Sequence, residues 1–149
     1  MNIKKTSNSL TILLAPIYFF VTFFSHANSI EVVVHDSLKF SEISKQQMKS
    51  IYLGQQTHWS NGKLIKLYKL PSKHKIHHSF VKNILGIYPY QYNRRWQKLV
   101  FSGFAVKPYE VSTEQELLKA VANTPNAIGY IENKITTEGI RYAALFDET

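Results

Sequence analysis

The chain of 149 residues has no cysteine, which excludes disulfides and removes the thiol that a bacterial lipoprotein carries directly after its leader. Acid is also scarce: ten aspartates and glutamates stand against eighteen lysines and arginines, and none of the ten lies between Glu42 and Glu110. Internal repeats, low-complexity tracts and an evident linker are missing too, so one folded unit is expected.

Long apolar runs are limited to one, from Leu10 to Phe24. It follows Lys4 and Lys5 and precedes the small-residue site Ser25-His26-Ala27, the pattern of a secretory signal peptide over residues 1–27. The run contains Pro16 and is shorter than the roughly 20 residues needed to span a bilayer. Cleavage after Ala27 is therefore predicted, placing a domain of residues 28–149 in the periplasm, with no stable membrane insertion after cleavage. About 120 residues suffice for a single core burying roughly two-thirds of the unfolded surface. Loss of the two leader lysines brings the net charge to about +6, which favours anionic partners: phosphate, anionic glycans, lipid headgroups or nucleic acid. No nucleic-acid-binding module surrounds the scattered aromatics, and a secreted protein meets little nucleic acid, so no nucleic-acid partner is expected.

Along the mature chain, β-branched Ile30 to Val34 reads as a first strand. Ser44 with Gln47 three residues later opens a helix carrying Met48, Ile51 and Tyr52, which Gly54 ends. A turn holding Trp59 and Ser60-Asn61-Gly62 leads to a strand from Leu64 to Leu70. Pro71-Ser72 breaks that strand and can start a helix striped by Ile76, Phe80, Ile84 and Leu85. Pro89 suits the first position of the next helix, with Tyr92, Trp96, Leu99 and Val100 on one face, closed by Ser102-Gly103. Ser112 with Gln115 opens a helix bearing Leu117, Leu118 and Val121, and strands follow from Ala127 to Ile131 and from Ile140 to Phe146. The order of strand, helix, strand, three helices and two strands predicts an α/β sandwich. Ile128 and Tyr130 are expected in a central strand, and Trp96 and Phe101 in the core that covers it.

Three segments carry a resemblance: Ile51-Tyr52-Leu53-Gly54 before the Trp59 turn, Trp96 to Gly103, and Asn126-Ala127-Ile128-Gly129-Tyr130-Ile131. In this order they resemble the phosphate-binding component of phosphate ABC transporters, a type 2 periplasmic binding protein, over about Ile30 to Ile131. The resemblance implies a three-layer-like sandwich matching one lobe of such a protein. It further implies a solute-binding-like role for phosphate or a similar small oxyanion, with a link to phosphate transport. Relatives of this kind close two lobes on the anion, and this chain has room for little more than one. They also cradle phosphate in a Ser-Gly-Ser/Thr turn, whereas this chain has Leu70-Pro71-Ser72-Lys73-His74-Lys75 without glycine. The alternative is a ligand-free accessory module of the cell envelope with a protein partner.

The candidate anion site is the helix start at Ser72, Lys73 and Lys75, where free N–H groups, the helix dipole and two ammonium groups favour negative charge. Arg94 and Arg95 could add bidentate contacts to phosphate or carboxylate. The same chemistry attends any helix start, so Ser72 equally reads as a plain cap and the bases as a solvated face. His74, His77 and His78 invite a metal reading, yet Lys73, Lys75 and Lys82 oppose a cation and no acidic residue is near in sequence, so they read as solvated surface histidines. No nucleophile elbow and no carboxylate pair points to catalysis. No enzyme activity, catalytic residue, metal or cofactor is predicted.

Overall fold

The computed structural model describes residues 29–148; the predicted leader and its cleavage point lie outside the described residues. The elements run β1 (Glu31–His35), β2 (Glu42–Ser44), α1 (Lys45–Tyr52), β3 (Lys66–Lys69), α2 (Lys75–Asn83), α3 (Pro89–Phe101), β4 (Tyr109–Glu110), α4 (Glu114–Ala122), β5 (Ala127–Ile131) and β6 (Ile140–Phe146). Six strands form one mixed sheet in the order β2-β6-β1-β5-β3-β4. β1 is antiparallel to both neighbours, pairing Val32 with Tyr130 of β5 and with Ala143 of β6. The pairs β2–β6, β3–β5 and β3–β4 are parallel.

All five residues of β5 are buried, which requires cover on both faces, because successive side chains of a strand point to opposite sides. Tyr130 points to α1 and α2, stacking on Phe80 at 3.8 Å between ring centroids and meeting Tyr52 edge-on. Gly129 points to α4, and a Cβ there would lie 2.5 Å from Leu117 Cδ2. Helices on both sides of the sheet make this the expected three-layer α/β sandwich.

Local chemistry sets the helix ends. The Ser44 hydroxyl accepts the Gln47 N–H at 3.0 Å, as its spacing predicts, and Pro89 occupies the first turn of α3. Gly54, with φ +69, closes α1 in the left-handed region, and a Cβ there would also press on Leu99 Cδ1 at 2.8 Å. The carbonyls left unpaired at the end of α1 are taken by α3: Trp96 Nε1–H donates to Tyr52 O at 2.8 Å and Arg95 Nε–H to Leu53 O at 2.5 Å. Trp59 is buried as well, its indole N–H donating to Asn126 O at 3.0 Å.

Several expectations need correction. β2 and β4 were not anticipated, and β3 covers only Lys66–Lys69 of the expected 64–70. The cap of α4 is Thr113, whose hydroxyl accepts the Glu116 N–H, while the Glu116 carboxylate accepts the Ser112 N–H. α2 begins at Lys75 with His74 as its cap, since the His74 ring accepts the Ile76 N–H at 3.3 Å. His77 is fully buried, not a surface residue. Phe101 is 96 % exposed: at the last residue of α3 it has turned past the stripe through Tyr92 and Trp96 that faces the core.

Candidate functional site

Lys69 shares the inner face of β3 with Leu67. Its side chain is buried, and its ammonium group donates to Leu70 O at 3.3 Å and to the Glu110 carboxylate on β4. Strand register explains the pairing, because Lys69 lies opposite Glu110. The ammonium beside Glu110 holds that carboxyl below its ordinary range. Lys69 and Glu110 stand at one side of a cleft of about 870 Å³ that also takes in Ser72, Tyr92, Arg94 and Lys107.

A polar chain runs through the core next to this cleft. The Tyr130 hydroxyl accepts the Leu70 N–H at 3.2 Å and lies 2.5 Å from His77 Nδ1. With a neutral ring, the arrangement that satisfies both the Tyr130 hydroxyl and Nδ1 has Tyr130 donating to Nδ1, which puts the imidazole proton on Nε2. Among the described residues, His77 Nε2 and the Tyr92 hydroxyl are the buried side-chain atoms without a partner. Burial, aided by the charge of Lys69, lowers the His77 pKa to about 4. Burial also pushes the Tyr92 and Tyr130 hydroxyls up, so both stay protonated at any physiological pH.

The five predicted site residues divide. Ser72 and Arg94 reach the cleft, where the Ser72 hydroxyl donates to Asn93 Oδ1 at 3.0 Å and Ser72 O accepts from His78 Nε2 at 2.7 Å. Lys73 is exposed one residue before the His74 cap. Lys75 lies 3.5 Å from the Glu132 carboxylate. Arg95 is held on Leu53 O at the end of α1. The sequence assigns no site role to Lys69, Lys107 or Glu110, and reads Tyr92 only as part of the apolar face of α3. Lys69 left one trace there, since it falls in phase with Ile65 and Leu67; nothing local announced its partner.

No protein-family profile matches the sequence, and no curated protein matches it. Solved structures do. A protein assigned as a phosphate ABC transporter substrate-binding protein from Clostridium perfringens, solved with bound phosphate, superposes with TM-score 0.63 at 18% identity, over 78% of this chain and 44% of its own. An ABC-type phosphate transport receptor from Vibrio cholerae gives 0.61 at 15% identity, over 78% and 45%. PstS from Borrelia burgdorferi gives 0.54 at 13% identity, over 78% and 47%. This chain thus spans less than half the length of the proteins it superposes on. Three layers around one mixed sheet, laid over those receptors, identify the fold as that of the phosphate-binding proteins of ABC transporters, carried here by a chain matching under half of each.

Proposed function

We propose that this is a solute-binding-like protein of the periplasm, exported by a cleaved leader over residues 1–27, that holds phosphate or a similar small oxyanion without catalysing a reaction. The observation that carries the reading is the cleft itself. It gathers Lys69, Arg94, Lys98 and Lys107 around Ser72, with Glu110 as its one acidic group. Cations around a concave site raise the local concentration of anions and favour their binding. The phosphate named for the Clostridium perfringens protein supports the choice of ligand. In this reading Ser72 and Arg94 contact the anion, Lys73 and Lys75 add charge at the start of α2, and Arg95 holds the α1–α3 junction. Binding is weaker than in a two-lobed clamp, because one open cleft leaves the ligand partly solvated.

Calorimetric titration of phosphate and sulfate tests it. Millimolar binding that weakens with salt is expected, and Arg94→Ala should reduce it about tenfold. Ser72→Ala and Lys73→Glu/Lys75→Glu measure the share of the helix start. Glu110→Gln should strengthen binding, since it frees the Lys69 ammonium for the ligand. No heat at millimolar phosphate in parent and Glu110→Gln alike overturns the assignment.

One observation favours a second reading, an accessory module without ligand that contacts an envelope protein. Ser72, Lys69 and Lys75 already have protein partners in Asn93, Glu110 and Glu132. Under that reading a link to phosphate transport survives only through the protein partner, and phosphate leaves the melting temperature unchanged.

A further inference from the structure

The outer face of α3 is unlike the rest of the surface. Tyr90, Arg94, Lys98 and Phe101 follow at helical spacing on one side of the helix, all of them exposed. Tyr90 stacks on Tyr88 with centroids 6.0 Å apart. Beyond Phe101 the chain folds back, Phe104 N–H donating to Leu99 O at 3.0 Å. Phe104 is then 82 % exposed and Val106 77 %. Lys107 and Pro108 line both the 870 Å³ cleft and a second one of about 400 Å³ on the other side. The segment from Phe101 to Lys107 is therefore a ridge between two clefts, with two phenylalanines and a valine along it.

Soluble surfaces rarely group large apolar side chains this way unless something covers them. Charge tells what. Twelve of the eighteen lysines and arginines, and no aspartate or glutamate, fall between Glu42 and Glu110, the stretch that builds α1, α2, α3 and this ridge. A second copy would set one such basic layer against another. An apolar ridge among bases suits a deformable anionic surface, where phenylalanines enter the headgroup boundary and ammonium and guanidinium groups meet lipid phosphates.

We propose that the α3 ridge docks on an anionic lipid bilayer, Phe101, Phe104 and Val106 entering the interface while Arg94, Lys98 and Lys107 lie on the headgroups. Arg94, Lys98 and Lys107 also line the oxyanion cleft, so the two claims share their basic groups, and what this one adds is insertion of the apolar side chains of Phe101, Phe104 and Val106. The contact is peripheral: among the described residues no helix is long and apolar enough to cross a bilayer.

The cysteine-free sequence gives a clean test in the full chain. Phe104→Cys and, on the opposite layer, Lys119→Cys are each labelled with an environment-sensitive fluorophore. Vesicles of phosphatidylcholine with about 30 % phosphatidylglycerol should blue-shift the label at 104 and leave that at 119 unmoved. Pure phosphatidylcholine, high salt or inorganic phosphate without vesicles should give no shift at 104. In unlabelled protein, Phe101→Ser/Phe104→Ser should lower co-sedimentation with the anionic vesicles about tenfold. The proposal is overturned by equal shifts at both positions, by none at 104, or by the same shift on neutral lipid. A shift at 104 that grows with protein concentration in the absence of lipid assigns the ridge to a second copy, and one produced by an envelope protein in lipid-free detergent assigns it to that protein; either result also overturns it.

Discussion

On one face of β5 the Tyr130 hydroxyl joins a buried polar chain with Leu70 and His77; on the other, Gly129 meets Leu117 and Val121 of α4 with no room for a methyl group. The first face is assembled from three helices and, among the described residues, includes two buried polar atoms, His77 Nε2 and the Tyr92 hydroxyl, that meet no protein partner. The second is one helix packed on a bare backbone. A core can thus be sensitive to protons on one side of a strand and to volume on the other, because hydrogen-bond satisfaction and close packing are separate requirements.

Four experiments break or sharpen that contrast. The largest effect is expected for Trp96→Ala on the Tyr130 side, which removes a buried indole and its bond to Tyr52 O; denaturant unfolding should show a loss of about 3–5 kcal/mol. Acid comes next. Folded His77 stays neutral down to about pH 4, whereas an unfolded histidine takes up its proton near 6.5. The unfolded state therefore binds more protons in that window, and stability falls as pH drops through it, by up to about 3 kcal/mol. Urea titrations at stepped pH should show the fall, and His77→Phe should flatten it. On the α4 side, Gly129→Ala should cost about 1–3 kcal/mol through overpacking, by the same amount at pH 7 and pH 5. An equal pH response from both faces would dissolve the contrast. The smallest effect belongs to Phe101→Ala, within about 0.5 kcal/mol of the parent, since nothing folds over that ring.

What the sequence disclosed follows the range of the forces involved. β5 and β6 have in the structure the bounds that the sequence predicts, Ala127–Ile131 and Ile140–Phe146, because each announces itself locally, as a short β-prone segment that begins right after a turn, at Pro125-Asn126 and at Gly139. The Ser44 cap and Pro89 were legible for the same reason: each acts within one helical turn. β2 and β4, three and two residues long, exist only because distant strands offer them partners, and so short a segment has no period to read. The lysine-rich neighbours of His77 suggest a surface, while helix phase turns it toward Tyr130. Ser72 promised a cap, but Pro71 and a further turn deferred the helix to His74. The cleft was half legible. Ser72 and Arg94 were named beforehand; Lys69 and Glu110 meet only through the parallel pairing of β3 with β4, which joins positions far apart in the chain.

The placement of β1 bears on how the molecule comes into being. Val32 waits for Tyr130 on one side and Ala143 on the other, partners made roughly a hundred residues later, and such distant closure makes for slow folding. A chain emerging from its N-terminal end carries this strand unpaired until β5 and β6 have appeared. Synthesis alone therefore cannot lock the sheet early: the hundred or so residues between β1 and its partners must be made before its middle can close.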